Sequence, residues 1–96
     1  MRPSEALKHY RSEVLALASQ QRVRSLRVFG SVARGDDKDD SDLDLIAEFE
    51  DDATLFNSFA LQDALEALLH HRVELATKQG LHPMIREQVL REARAL

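Results

Sequence analysis

The stretch from Gly30 to Leu45, which reads GSVARGDDKDDSDLDL, places the tightest limits on how this chain can fold. An apolar run that ends at Phe29 precedes it, so Gly30 stands where a strand would end and a short helix would begin. Glycine lets the backbone approach an anion closely, and the first turn of a helix offers unpaired N–H groups. With the hydroxyl group of Ser31 as a further donor, this junction predicts a phosphate-binding site.

The second half of the stretch alternates polar and apolar residues, which is the period of a half-buried strand. Asp42 and Asp44 therefore share one face of that strand, while Leu43 and Leu45 point to the core. Residues two apart on a strand begin roughly 6–7 Å apart, so both carboxylates can bind a shared hard cation such as Mg²⁺. Without a cation the two charges would repel by about 2–3 kcal/mol at an effective dielectric constant near 20. The pair predicts a metal site.

Two other interpretations of these aspartates are weaker. Asp40, Asp42 and Asp44 fall at the first, third and fifth positions of a calcium-binding EF-hand loop, but the sixth position needs glycine and holds Leu45. The acidic residues could also form a solvated turn. The glycine and serine upstream, at a distance that suits phosphate binding, favour a catalytic site over both.

The residues quoted above resemble the signature of a known family. Gly30-Ser31, then Arg34-Gly35-Asp36, then Ser41-Asp42-Leu43-Asp44-Leu45 are similar to the motif of the minimal nucleotidyltransferases, a branch of the DNA polymerase beta superfamily. The resemblance implies an α/β fold in which a short mixed three-stranded sheet is flanked by helices. It extends over nearly the whole chain, residues 1–96, which we expect to form a single nucleotidyltransferase domain.

The resemblance also implies the roles of individual residues. Phosphates of ATP would bind at Gly30, Ser31 and Arg34, and Mg²⁺ would bind at Asp42 and Asp44. In the family a later strand supplies a third carboxylate from an apolar-Asp-apolar triplet. The candidate here is Glu74, between Val73 and Leu75, where glutamate replaces the usual aspartate. From the sequence alone, a surface glutamate in a salt bridge remains an equal alternative for Glu74.

Free-standing domains of this size resemble the antitoxin half of a type VII-like toxin–antitoxin pair. The implied reaction is Mg²⁺-dependent transfer of AMP from ATP to a tyrosine of a HEPN-domain ribonuclease toxin, which neutralises the toxin. The glutamate at position 74 keeps a second hypothesis open, namely a weak or inactive antitoxin that neutralises its partner by binding alone. Relatives that modify small molecules add a second domain for the acceptor, so we expect this chain to depend on a partner protein.

Charge and composition argue against several other kinds of function and location. The formal net charge of −4 argues against direct binding to nucleic acid, because the phosphate backbone attracts basic proteins. The chain has no cysteine, which is typical of the reducing cytoplasm, where we expect the protein to be located. No apolar run approaches the length of a membrane span, so no membrane association is expected.

Periodicity and capping residues predict the other elements. These are one helix from Ser4 to about Gln21, a strand from Arg24 to Phe29, a short helix from Ser31 to Arg34 ended by Gly35, a helix after Thr54 that runs to Leu69, a strand from Val73 to Thr77, and a last helix that begins at Pro83. In the helix that runs to Leu69, the apolar residues are predicted to belong to the core, although an excess of them could form a partner surface; they are Leu55, Phe59, Leu61, Leu65, Leu68 and Leu69. In the last helix, the residues predicted to face inward are Met84, Ile85, Val89, Ala93 and Leu96.

Overall fold

Four strands form one mixed sheet in the computed structural model, which describes residues 1–96. The strands are β1 (Val23–Phe29), β2 (Leu43–Phe49), β3 (Val73–Ala76) and β4 (Arg94–Ala95). Their spatial order is β3-β2-β1-β4, with β2 antiparallel to β1 and parallel to β3. The predicted mixed α/β architecture is confirmed, but the predicted number of three strands is wrong.

The fourth strand comes from residues that were predicted to be helical. The last helix ends at Glu92, because Ala93 adopts an extended conformation with ψ of 137°. Arg94 and Ala95 then pair with Val28 and Arg27 on the open edge of β1. A two-residue strand has no periodicity of its own, so only the unpaired backbone groups of β1 specify it.

Five helices pack on this sheet. They are α1 (Pro3–His9), α2 (Arg11–Gln20), α3 (Gly30–Arg34), α4 (Leu55–Leu69) and α5 (Pro83–Glu92). The single N-terminal helix predicted from the sequence is divided at Tyr10, whose φ of −104° and ψ of 24° lie outside the helical range. None of the five helices combines the length and the apolar character that a membrane-spanning helix requires.

One face of the sheet carries the hydrophobic core. Leu43 and Leu45 of β2 point to this face, where they meet Leu61 and Leu65 of α4 and Val14 of α2, and all five are fully buried. Because side chains alternate along a strand, Asp44, which lies between Leu43 and Leu45, points to the opposite face. Burial of the leucines therefore fixes the direction of the acidic side chains.

The predicted core contains residues that the structure exposes. Leu55 and Phe59 of α4 are 75% and 62% exposed, because they lie roughly 100° and 140° around the helix from the midline of Leu61 and Leu65. On α5, Met84 and Ile85 are 86% and 49% exposed, and the helix has no buried residue. Apolar spacing alone does not say which side of a helix meets the core.

Asp37 has a structural role that the sequence pattern did not reveal. It lies in the acidic loop after α3, yet its residue is only 4% exposed, and its Oδ2 accepts a hydrogen bond of 2.9 Å from the backbone N–H of Ser4. The carboxylate thus satisfies a free donor in the first turn of α1. Burial acts to raise the pKa of Asp37, but the hydrogen bonds from Ser4 outweigh it and hold the pKa below its usual value.

We expect Asp37→Ala to lower the free energy of unfolding by about 1–2 kcal/mol at pH 7, because a helix loses its charged cap. Since the folded-state pKa of Asp37 is lowered, the stabilisation is present above the unfolded-state pKa near 4 and is lost as the pH falls through the folded-state value. Urea titrations should therefore give a lower free energy of unfolding for the variant than for wild type at pH 7, and nearly equal values for the two proteins in acid. Asp36→Ala is the control, since Asp36 is exposed. Equal losses from both substitutions at pH 7 would contradict the capping role.

Candidate active site

A cleft of about 550 Å³ opens at the end of β1, beside the start of β2 and β3. It collects residues that are far apart in the sequence. Its lining consists of Phe29, Gly30, Ser31, Arg34, Ser41, Asp42, Asp44, Glu74, Ile85, Gln88, Val89 and Glu92. Every site residue predicted from the sequence lies in this cleft.

Strand register explains why these residues meet. In the antiparallel pair β1–β2, Phe29 lies opposite Asp44, so the chain turns at Gly30 directly beside that aspartate. In the parallel pair β2–β3, Asp44 lies opposite Glu74. Asp42 lies one residue before β2 begins and lines the same cleft. The sheet therefore places three carboxylates side by side.

The surroundings of Asp44 destabilise its charged form. The pKa of Asp44 is raised to about 6, first by burial, then by the charge and hydrogen bond of Glu74, and then by the charge of Asp42, while Arg34 acts in the opposite direction. The apolar neighbours and like charges thus oppose ionisation at neutral pH. A positive charge bound nearby would remove this cost.

The donor set fits a hard divalent cation. Three carboxylates provide the oxygen ligands that Mg²⁺ prefers, and Arg34 is the one basic side chain that lines the cleft. In the present rotamers no group of three acidic or histidine side chains converges on one point. Binding of an ion therefore requires side-chain rotation, which is available because Glu74 is exposed.

Two independent constraints favour glycine at position 30. Its φ is +71°, a conformation that residues with a Cβ rarely adopt. A Cβ at this position would also collide with the carboxylate of Asp44. Helix α3 starts at Gly30, which exposes the hydroxyl and backbone of Ser31 to the cleft, and it ends where Gly35 takes a φ of +80°. The predicted short helix and its glycine stop are confirmed.

Arg34 is already held by two carboxylates. Its Nη1 lies 3.2 Å from Oε1 of Glu92, and its Nε lies 3.5 Å from Oδ2 of Asp36. The hydrogen bond with Glu92 is the main reason that the pKa of Arg34 is raised, and the charge of Asp36 is the next.

One wall of the cleft was missed by the sequence prediction. It consists of Ile85, Gln88, Val89 and Glu92, which occupy one side of α5. Ile85 and Val89 were predicted to face the core, and the four-residue spacing that suggested a buried stripe is the same spacing that forms this wall. The sequence carried no signal for the placement of α5, because pairing of β4 with β1 determines where the helix ends.

Comparisons with known proteins identify similar chains. The profile of a family described as "Nucleotidyltransferase domain" matches residues 7–96. The protein adenylyltransferase MntA of Thermococcus cleftensis is 46% identical over 70 residues, which cover 73% of this chain and 71% of that protein. The residues matched by the family profile include β1, β2 and the acidic motif.

Solved structures share the fold. One that is assigned as a minimal nucleotidyltransferase has a TM-score of 0.86 and 48% identity, and the match covers 97% of this chain and 95% of that chain. A toxin–antitoxin complex solved with AMP-PNP has a TM-score of 0.73 at 19% identity, covering 88% of this chain and 69% of that chain. At that low identity the second match shows the fold alone.

Gly30→Ala and Gly35→Ala form a matched pair of substitutions, because both positions have positive φ but only a Cβ at position 30 meets another group. We expect each to lower the free energy of unfolding by about 1–2 kcal/mol, the cost of the left-handed conformation. Gly30→Ala alone should also displace Asp44 and weaken Mg²⁺ binding. Urea titration and calorimetric titration with Mg²⁺ measure the two effects. Equal Mg²⁺ affinity in the two variants would show that Asp44 is not displaced.

Proposed function

The chain belongs to the nucleotidyltransferase domain family, and from this premise we propose that it transfers AMP from ATP to a hydroxyl group of a partner protein. The observation that carries this proposal is the single cleft in which β2 and β3 present carboxylates beside the Gly30-Ser31 turn. The name of the Thermococcus relative, a protein adenylyltransferase, supports a protein as the acceptor.

Mg²⁺ would be held by Asp42, Asp44 and Glu74. When bound, the ion would neutralise charge on the triphosphate and lower the pKa of the acceptor hydroxyl. The pKa of Asp44 is raised first by burial and then by its acidic neighbours, and a bound cation would offset part of this cost, which supports these residues as ligands. Asp44 lies between Gly30 and Glu74, and it would therefore join the phosphate and acceptor ends of the site.

The triphosphate would bind along the other side of the cleft. Gly30 has no side chain of its own, the carboxylate of Asp44 lies against it, and Ser31 provides a hydroxyl donor. Arg34 would supply a charged donor, for which a hydrogen bond to a phosphate oxygen is stronger than one between neutral groups. Together these groups would orient the leaving pyrophosphate relative to the acceptor.

Glu74 would bind at the acceptor side of the ion. It pairs directly with Asp44 in the parallel register and remains exposed, so an incoming hydroxyl group can reach it. Its side chain is one methylene longer than the aspartate of the family motif. A displacement of about an ångström can cost about a hundredfold in rate, so we expect slow transfer.

For the partner we propose a HEPN-domain ribonuclease toxin, with a tyrosine as the acceptor. The likeness to toxin–antitoxin structures supports a toxin as the partner, although it reaches only 15–19% identity. The resemblance of the sequence motif to antitoxins of this kind supports the same class. In this function the transferred AMP neutralises the ribonuclease, and the chain is an antitoxin.

A second function, neutralisation by binding alone, is favoured by two observations. Glutamate stands at position 74 where the family motif has aspartate, and the three carboxylates do not converge in the present rotamers. A chain of this kind would keep the fold and mask its partner without chemistry.

Intact-mass spectrometry of a HEPN toxin encoded beside this chain, incubated with the chain, ATP and Mg²⁺, separates the two functions. We expect the toxin to gain adenylyl groups with wild type and with Glu74→Asp. Asp44→Asn and Glu74→Gln should reduce the rate by about a hundredfold or more, because each removes an ionised ligand. A toxin that is neutralised without a mass gain, and equally well by Glu74→Gln, would establish binding alone.

A further inference from the structure

The cleft is acidic even beyond the three carboxylates that would hold the ion. Glu92 adds a fourth carboxylate to the lining, and Arg34 remains the single basic residue there. An incoming triphosphate therefore meets excess negative charge. Its affinity depends strongly on how much of the charge of Arg34 is free to interact with it.

Glu92 competes directly for that charge. It comes from the last turn of α5, 58 residues away in the sequence, and its Oε1 accepts a hydrogen bond of 3.2 Å from Nη1 of Arg34. Its side chain is only 27% exposed, whereas that of Asp36, the other partner of Arg34, is 64% exposed and its contact is longer, at 3.5 Å. Glu92 is thus the better shielded and stronger of the two partners.

The contact also joins two elements across the cleft. No other salt bridge connects α5 to the rest of the protein, and its remaining side-chain hydrogen bonds go to the turn before it, at Gln79, Leu81 and His82. Although α5 has no fully buried residue, the partly buried Val89 and Leu90 and the pairing of β4 also hold its last turn, so α5 stays in place without this one ion pair. The Arg34–Glu92 pair can therefore open at small structural cost.

We propose that Glu92 is an internal competitor of the nucleotide: it occupies Arg34 in the free protein, and the triphosphate must displace it to bind. This inference rests on the proposed role of Arg34 in the function above. Glu92 would then be a positioning residue that acts through Arg34 and sets the affinity for nucleotide. A triphosphate carries more charge than one carboxylate, so it can displace Glu92 from Arg34, and Mg²⁺ bound at the other carboxylates would offset the repulsion that opposes its entry.

The test is the affinity of the purified protein for AMP-PNP in the presence of Mg²⁺, measured by isothermal titration calorimetry. We expect Glu92→Gln to tighten binding by about 1.4-fold to fivefold, the range set by an exposed ion pair. Glu87→Gln is the matched control, since Glu87 is an exposed glutamate on the same helix that does not line the cleft, and it should leave the affinity unchanged. Thermal melting checks that each variant is folded.

A double-mutant cycle with Arg34→Ala separates competition from simple repulsion. If Glu92 acts through Arg34, Glu92→Gln should have little effect in the Arg34→Ala background. An equal gain in both backgrounds would mean that Glu92 only repels phosphate, and weaker binding by Glu92→Gln would mean that it holds Arg34 ready for the nucleotide. Either result overturns the proposal while leaving the proposed function in place. If the wild-type protein binds no AMP-PNP with Mg²⁺, the proposed function fails and this inference fails with it.

Discussion

Repulsion between Asp44 and its acidic neighbours is the interaction on which the rest of the structure depends. Burial raises the pKa of Asp44 to about 6, and the parallel register of β2 and β3, which sets Glu74 beside it, contributes to the same shift. A sheet gains nothing in stability from such a pair, so the surrounding core must hold it. Leu43 and Leu45, on either side of Asp44, are fully buried and make any slip of register costly, because a shift of one residue would expose them.

Two sides of the cleft accommodate the negative charge of Asp44 in different ways. At one side Gly30 leaves space for the carboxylate of Asp44, which a Cβ would displace. At the other side Arg34 lowers the pKa of Asp44, yet its own charge is shared with Glu92 and Asp36. The cleft therefore remains short of positive charge. Such a site suits a cation together with an anionic substrate better than either one alone.

The parts of the structure that could be predicted from the sequence are those that local chemistry determines. The glycine turn, the short α3 and the strand with alternating aspartates follow from backbone preference and from a period of two, and they lie where they were expected. Four features were missed. One is the break between α1 and α2 at Tyr10. The other three, the edge strand β4, the capping role of Asp37 and the wall formed by α5, depend on contacts between elements distant in the sequence. The role of Glu74 was ambiguous for the same reason, because its position beside Asp44 depends on the pairing register of β2 and β3.

The most direct test of this account is the thermal midpoint of wild type and Asp44→Asn as a function of pH, with EDTA or with Mg²⁺. Because the folded-state pKa of Asp44 is raised, its contribution to stability is greatest below the unfolded-state value near 4 and is lost as the pH rises through about 6. In EDTA, Asp44→Asn should therefore melt above wild type at pH 7.5 and lose that advantage in acid. Mg²⁺ should raise the midpoint of wild type and have little effect on the variant. A wild-type midpoint that Mg²⁺ leaves unchanged, or a variant that melts below wild type in EDTA at pH 7.5, would contradict the account.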